Sequence, residues 1–231
     1  MYDHCVMSRS LRLLKRAWRC FQDFGFDETL GRTLVWLKLL SSWNALDFYL
    51  RDFRSSPISN PDLHNLKLEI REISSNQFHN FSLAEGLPPR AHFEKQFARG
   101  SRLFAAFEGN AFVAVNWTHS KSADLTHIGR PLVSLPPGTV YSYGLFVSPA
   151  HRNQGIGILL KQFLFHQLQT EGTELVFLAV YLKNIGIHRW HRKVGMEKWG
   201  RIVYFNWKGK GIWWTLPTKI GHQHPQLLNH A

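Results

Sequence analysis

The sequence has little cysteine and no long apolar run. Its two cysteines among 231 residues, Cys5 and Cys20, exclude a zinc ribbon and a multi-disulfide secreted framework. No uninterrupted apolar stretch reaches about 18 residues, so no membrane-spanning helix is indicated. The N-terminus lacks an apolar core followed by a small-residue cleavage site, which argues against a signal peptide. We therefore expect a cytoplasmic protein, and the hydrophobic fraction of 44% is typical of a globular chain.

Acidic residues are also scarce. Lys and Arg total 28 against 16 Asp and Glu, which gives a net charge of +12. Residues 188–210 hold seven of these cations against Glu197 alone, so that half of the excess lies in one short stretch. Such a balance predicts attraction to nucleic acid, to an acidic membrane surface or to a phosphorylated small molecule. The alternative is a solvated basic surface.

The first 57 residues are predicted to be a helical extension. They contain few glycines, and Leu11, Leu14, Trp18 and Phe21 follow a helical spacing. Within them, residues 33–50 are predicted to form an amphipathic helix that packs on the protein or lies on a membrane surface. Serines and prolines at 55–61 then predict a linker.

A mixed α/β domain is predicted over residues 58–216, followed by a loose tail at 217–231. Period-2 alternation predicts half-buried strands, and periodic apolar residues predict helices. Residues 120–138 are predicted to be an exposed loop, and the centre of the domain is a βαβ unit. The predicted strands are 66–70, 103–107, 112–117, 140–147, 175–181, 201–207 and 212–216, and the predicted helices are 91–98, 155–170 and 184–193.

The most informative segment is the strand-to-helix turn from Val147 to Gly157. Its glycines, Gly155 and Gly157, let backbone N–H groups approach a bound group without obstruction by a Cβ. The start of a helix adds unpaired N–H donors and the positive end of the helix dipole. The segment therefore predicts a site for a pyrophosphate-sized anion, with a plain tight turn as the alternative. The dinucleotide-binding and P-loop glycine patterns do not fit, because position 160 is Leu and Lys210 is followed by Gly211.

Two motifs in this order resemble the GCN5-related N-acetyltransferase (GNAT) superfamily. The loop Arg152-x-x-Gly155-x-Gly157 matches the Arg/Gln-x-x-Gly-x-Gly/Ala pattern of that family. A second pattern of the family matches downstream, with one helix and one strand between the two motifs. The resemblance covers about residues 64–216 in element order, and it implies a GNAT fold with a helical N-terminal extension. The downstream positions are Asn184, Ile187, Trp190, His191, Gly195 and Met196.

The resemblance also implies the binding of acetyl-CoA as cosubstrate. The pantetheine arm would lie between the two central parallel strands, and the N–H of Val147 would polarise the thioester carbonyl. Arg152 and Lys193 are candidate partners for phosphate oxygens. The implied cofactor-binding residues are Leu145, Phe146, Val147, Arg152, Asn153, Gln154, Gly155, Ile156, Gly157 and Asn184.

Catalytic groups are harder to assign. His191 stands where many family members have a Tyr that protonates the leaving thiolate, and an imidazolium can donate a proton. The strand from Val140 to Gly144 contains no carboxylate, whereas family members often carry a Glu base there. Tyr143 is a weak candidate for that base, since the ordinary pKa of a Tyr is near 10. A zinc site at His188 and His191 lacks a third ligand, so we expect no metal.

The sequence thus predicts an enzyme that transfers an acetyl group from acetyl-CoA directly to a primary amine, with no covalent intermediate. The acceptor is a small molecule or a protein amine, and the basic surface favours an anionic one. The alternative is a catalytically degenerate CoA-binding module, or a basic protein that binds nucleic acid or another anionic surface. Peripheral membrane contact through the N-terminal helices also stays open.

Overall fold

A computed structural model describes residues 43–58, 68–124, 133–182, 184–207 and 210–217, with Trp18 and Gln22 as two isolated helical positions. Among these residues no helix is both long enough and apolar enough to cross a membrane. The helices are α1 (Ser75–Phe78), α2 (Arg90–Ala98), α3 (Ile156–Thr170) and α4 (Ile185–Lys193). The strands are β1 (Trp43–Asp52), β2 (Glu69–Ile73), β3 (Ser82–Leu83), β4 (Arg102–Glu108), β5 (Ala111–His119), β6 (Ser122–Ala123), β7 (Val133–Ser134), β8 (Thr139–Val147), β9 (Leu175–Tyr181), β10 (Glu197–Trp207) and β11 (Lys210–Pro217).

The strands of the described ranges form one large twisted sheet and a small separate pair. The sheet has the order β11-β10-β1-β9-β8-β5-β4-β2, and β3 pairs with β5 beside this path. Strands β8 and β9 run parallel and are connected through α3. This confirms the predicted βαβ unit, and the β4–β5 hairpin and helices α2, α3 and α4 also lie within one or two residues of their predicted bounds. The mixed α/β fold class is therefore as expected.

The two faces of the sheet carry different cores. Helix α3 covers one face, where aliphatic side chains from β5, β8 and β9 pack against it. On the other face, α1 and α2 pack over β4 and β5 with stacked rings, and Phe78, Phe93 and Phe112 lie with centroids 5.0 to 6.2 Å apart. Both faces are covered, so the central strands read as nearly continuous apolar runs.

The helical prediction for residues 1–57 is wrong where β1 begins. Residues 43–52 form a strand that pairs antiparallel with β9 on one side and with β10 on the other. Leu46, Phe48 and Leu50 face one core while Tyr49 faces the other. Asp47, which interrupts the apolar run in the sequence, is fully buried and paired with Arg201 at 2.7 Å. The run is apolar because both faces of a central strand are buried. It does not mark the single buried face of an amphipathic helix.

Other boundaries also change. Strand β1 lies within the sheet, so the sheet includes residues before the expected domain start at 58. The predicted loop at 120–138 contains the β6–β7 pair, in which Ala123 is buried, and residues 125–132 lie outside the described residues. Pro217 ends β11, whereas 218–231 and the helical prediction for the first 42 residues, apart from Trp18 and Gln22, also lie outside them.

Candidate active site

The central parallel strands separate along their length. Parallel pairing between β8 and β9 joins three residue pairs, from Thr139 with Leu175 to Tyr141 with Phe177. Beyond this point each strand keeps only its outer neighbour in the described structure, β5 for β8 and β1 for β9. A gap therefore opens between them toward their carboxyl ends, where ligands bind in open α/β sheets.

A cleft of about 890 Å³ occupies this end of the sheet, between the first turns of α3 and α4. Its volume lies within the range of small-molecule sites. Nine of the ten residues predicted to bind the cofactor line it, and Gln154 is the exception. The lining residues are Leu145, Phe146, Val147, His151, Arg152, Asn153, Gly155, Ile156, Gly157, Ile158, Asn184, Gly186, Ile187, Trp190 and Lys193.

The turn before α3 presents its backbone to this cleft. Asn153 and Gly155 both adopt left-handed backbone conformations, with φ of 64° and 79°. A Cβ built on Gly155 would meet no atom within 4 Å, so the space beside it is open. The backbone N–H groups of residues 153–157 have no acceptor within the described part of the chain. They form a concave set of donors at a helix N-terminus, which is a favourable site for an anion.

The N–H of Val147 also points into the gap. The N–H of Ser148 donates to the carbonyl of Val113 on the β5 side at 2.8 Å. Successive N–H groups of a strand alternate between its two edges, so the N–H of Val147 faces the edge that has lost β9. The carbonyl of Val147 accepts a hydrogen bond from Nε of Arg152 at 3.1 Å, which holds that side chain across the turn.

A bulge in β8 divides its side chains between the two faces of the sheet. Tyr143 pairs with Trp117 and Phe146 with Val115, so β8 carries one residue more than β5 between these pairs. Gly144 occupies the bulge with φ of 60°, and a Cβ there would lie 3.1 Å from the Trp117 ring. Beyond the bulge Leu145 and Val147 face α3, whereas the ring of Phe146 contacts α2 through His92 on the opposite face.

A buried lysine supports the bulge from the α3 side. Lys161 is 2% exposed, and its Nζ donates to Ser142 Oγ at 2.6 Å and to Asn116 Oδ1 at 2.8 Å. The amide of Asn116 donates in turn to the carbonyl of Tyr143 at 2.7 Å. Burial lowers the pKa of Lys161 to about 7, because no solvent stabilises its charged form. The network fixes the backbone just before the residues that line the cleft.

The structure argues against His191 as an imidazolium acid. Its side chain is 4% exposed, does not line the cleft and packs against Tyr49 at a ring distance of 5.2 Å. Burial, together with the charge of Lys161, lowers the pKa of His191 to about 2, so the ring is neutral at physiological pH. The neighbouring His188 is fully buried and donates from Nε2 to the carbonyl of Tyr181. Both histidines belong to the packing of α4 on the sheet.

Tyr143 lies on the other face, at a second cavity of about 390 Å³. Its hydroxyl donates to Gln96 Oε1 at 2.9 Å and shares a hydrogen bond of 2.6 Å with Ser101 Oγ. Burial raises the pKa of Tyr143 above its ordinary value, which makes it a still poorer base. The cavity is lined by Gln96, Arg99, Ser101, His119, Lys121, Ser122, Asp124 and Tyr143.

The rim of this second cavity is charged. Arg99 pairs with Asp124 at 2.5 Å, and Lys121 is exposed beside them. His119 is held by three contacts, since Nε2 donates to the carbonyl of Arg99 and Nδ1 accepts from the N–H groups of Lys121 and Ser122. Two cations face one carboxylate, so the cavity has a net positive charge.

Lys161 and the side chains of α2 were not among the functional residues predicted from the sequence. A signal for each is present in the sequence. Lys161 lies between apolar residues on the buried side of a predicted helix, where a lone cation needs polar partners. His92, Gln96 and Arg99 are spaced i, i+4 and i+7, which places them on one face of α2.

The family of the chain follows from comparison with known proteins. A model of the acetyltransferase (GNAT) family matches residues 67–196, which is more than half of the chain. The protein therefore belongs to the GNAT acetyltransferase family, as the two motifs predicted. A comparison with curated proteins finds no significant match.

Solved structures share the fold at low identity. A GNAT-family acetyltransferase from Novosphingobium aromaticivorans is 12% identical with a TM-score of 0.48, over 70% of this chain and 62% of that one. A GCN5-related N-acetyltransferase from Sphaerobacter thermophilus is 15% identical with a TM-score of 0.46, over 80% and 57%. A glucosamine N-acetyltransferase region of a fungal multi-domain β-N-acetylglucosaminidase is 14% identical with a TM-score of 0.51, over 75% and 22%. The chain thus spans less than two thirds of the length of each of these structures.

Proposed function

We propose that this chain is an acetyl-CoA-dependent N-acetyltransferase that transfers the acetyl group directly to a primary amine. The observation that carries the proposal is the combination of the β8–β9 gap with the unpaired N–H groups of residues 153–157 at its mouth. Both cysteines lie in the first 20 residues, far in sequence from this loop, which is compatible with a route that has no covalent enzyme intermediate.

The cleft fits coenzyme A in three respects. The N–H donors of residues 153–157 suit the pyrophosphate, and the open space beside Gly155 lets it approach the backbone. The free edge of β8 suits the amides of a pantetheine arm, which can hydrogen-bond there as a strand would. Lys193 lies at the rim, where it can pair with a phosphate oxygen, and Trp190 and Ile187 form an apolar wall.

Each residue then has a defined task. Acetyl-CoA supplies an activated acetyl thioester. The N–H of Val147 points into the gap, where it would stabilise the negative charge that develops on the carbonyl oxygen. The Lys161 network keeps the β8 bulge in place, and so holds this N–H in a fixed direction. Such preorganised donors contribute to catalysis because they need not reorient during the reaction.

The second cavity is the proposed acceptor site. It shares β8 with the cofactor cleft, since Tyr143 lines one and Leu145 and Phe146 line the other. Because Arg99 and Lys121 outweigh Asp124, we propose an acceptor amine that also carries an anionic group. The cluster of cations at 188–210 favours the same class of acceptor.

A thermal-shift titration tests the cofactor site. Acetyl-CoA at 100 times its dissociation constant is expected to stabilise the folded state by about 2.7 kcal/mol. Thiol release is then followed with glucosamine 6-phosphate, spermidine and an acidic lysine peptide as acceptors. No stabilisation by acetyl-CoA or CoA, in a protein that melts cooperatively, would overturn the proposal.

A CoA-binding module without transferase activity is the second candidate. The segment of β8 from Val140 to Gly144 holds no carboxylate to act as a base. Stabilisation by CoA without thiol release for any amine of the panel would favour this candidate.

A further inference from the structure

The proposed reaction needs a group that removes a proton from the acceptor ammonium, and β8 does not provide a carboxylate. The imidazoles near β8 that have no assigned role are therefore of interest. His119 and His151 have both ring nitrogens within hydrogen-bond distance of other groups. His92 on α2 forms no hydrogen bond from either ring nitrogen to another described residue, and its side chain is partly exposed. Its lone pair is therefore available.

Helix α2 places this imidazole beside the segment of β8 that lines the cofactor cleft. One turn further along α2, Gln96 accepts the hydrogen bond from the hydroxyl of Tyr143. At the other end of the same segment, the ring of His92 meets the ring of Phe146 edge-on, with centroids 6.4 Å apart. Phe146 is 38% exposed and lines the cleft. His92 itself lines neither cavity, but it lies one helical turn from Gln96 at the acceptor cavity and contacts Phe146 at the cofactor cleft.

We propose that His92 is the general base that deprotonates the acceptor amine. This inference rests on the proposed function. The ammonium group of the acceptor gives one proton to His92, and the free amine attacks the carbonyl carbon of the thioester. A C–N bond forms, the C–S bond breaks, and the second proton lost by nitrogen goes to the departing thiolate. The products are the amide and CoA thiol, and His92 returns its proton to solvent.

The charge state of His92 suits this role. Burial first, and the ammonium of Lys95 second, lower the pKa of His92 below 6.5. Lys95 lies on the same helix, and the ring facing His92 from β8, that of Phe146, carries no charge. The imidazole is therefore unprotonated at pH 7 and can accept a proton. Activity should be constant above pH 7 and fall as the pH drops through this lowered pKa.

The kinetic test uses His92→Gln, with His79→Gln at the exposed end of α1 as the matched control. Thiol release is measured against pH with the three amines of the panel. We expect His92→Gln to lower kcat about 100-fold or more and to abolish the fall in activity at low pH. The dissociation constant of acetyl-CoA should stay within twofold of the wild-type value. In the control variant, kcat, the pH profile and the affinity for acetyl-CoA should all be unchanged. If His92→Gln kept kcat within threefold and still lost activity at low pH, the role of His92 would be overturned and the transferase proposal would stand.

A chemical test does not depend on turnover. Carbethoxylation of His92 by diethyl pyrocarbonate is followed by mass spectrometry with and without acetyl-CoA. The modification should be fast in the free protein and several-fold slower with acetyl-CoA bound, whereas His79 should react equally in both. Equal rates for His92 would show that it lies away from the bound thioester and would overturn the inference. Thiol release absent from wild type, with acetyl-CoA bound, would instead overturn the transferase proposal and His92 with it.

Discussion

The two sides of β8 are built from different parts of the chain. On the α3 side, the cleft presents backbone N–H groups, two left-handed residues and an open glycine. On the α2 side, the second cavity presents side chains from α2, β5, β6, β8 and the turns beside them, which lie far apart in sequence. A site made of backbone is encoded in a short contiguous motif, and many cofactor-binding families share it. A site made of side chains changes with each substitution, which suits the part of an enzyme that selects its acceptor.

The largest effect is expected from breaking the backbone side. Gly155→Glu places a carboxylate in the open space beside the free N–H groups, where the pyrophosphate would lie. We expect the dissociation constant of acetyl-CoA to rise at least 100-fold, which is about 2.7 kcal/mol. Isothermal titration calorimetry measures this change.

The matched control for that variant is Gly172→Glu. Gly172 also has a left-handed φ, of 85°, and open surroundings, but it follows the far end of α3. Both variants should lose similar stability from backbone strain, about 1–2 kcal/mol. Equal loss of acetyl-CoA affinity in the two variants would show that Gly155 acts through folding rather than through the anion site.

A smaller effect is expected on the side-chain side. Lys121→Glu reverses one cation at the rim of the second cavity, so the KM for glucosamine 6-phosphate should rise about tenfold. The affinity for acetyl-CoA should not change, because Lys121 does not line the cleft. The parent amine glucosamine, which lacks the phosphate, should respond much less. A uniform response to both acceptors would contradict the anionic class proposed for the acceptor.

The next prediction concerns the lysine that joins the two sides. Lys161 has a pKa of about 7 in the folded state and near 10.4 when unfolded. Between these values the unfolded state binds more protons, so the free energy of unfolding should rise with pH by at most about 1.4 kcal/mol per unit. Below pH 7 this contribution is constant. Urea denaturation at pH 7, 8 and 9 should show the slope in wild type and its loss in Lys161→Met.

His191 should give the smallest effect on activity. His191→Phe is expected to leave turnover and acetyl-CoA affinity within twofold of wild type, because the ring is neutral and outside the cleft. Its folded pKa of about 2 lies below the unfolded value of about 6.5. The free energy of unfolding should therefore decrease as the pH drops below 6.5, and this decrease should be smaller in His191→Phe than in the wild type. A turnover more than tenfold lower would return His191 to the mechanism.

The contrast between the two sides of β8 also explains which parts of the fold and of the candidate site could be predicted from the sequence. The loop from Arg152 to Gly157 was located in the sequence because its task depends on glycine and on a helix start, which are local properties. The family followed from this loop together with the downstream motif, and the parallel βαβ centre followed from the order of the predicted strands and helices. Residues 43–52 were assigned to the wrong element, because pairing with β9 and β10 buries both faces and hides the period-2 alternation. That environment exists only in the assembled sheet.

The acceptor side could not be predicted in the same way. Tyr143, Gln96 and Ser101 meet through hydrogen bonds that join β8 to α2 and to the turn before β4, and no local pattern brings them together. Lys161 was passed over because its partners, Asn116 and Ser142, come from β5 and β8. The role of His92 likewise depends on the packing of α2 against the bulged strand.

The position of β1 has a consequence for synthesis on the ribosome. Strands β10 and β11 join the remaining sheet only through β1 in the described structure, and Trp43 pairs with Phe205. The first partner of β1 to be synthesised is β9, so the nascent chain must hold this apolar strand unpaired for about 120 residues, or roughly 6–24 s at ordinary rates of translation. We expect a chaperone to bind residues 43–52 during this interval. Ribosome-bound chains ending before β9 should expose the segment to limited proteolysis, and completed chains should protect it.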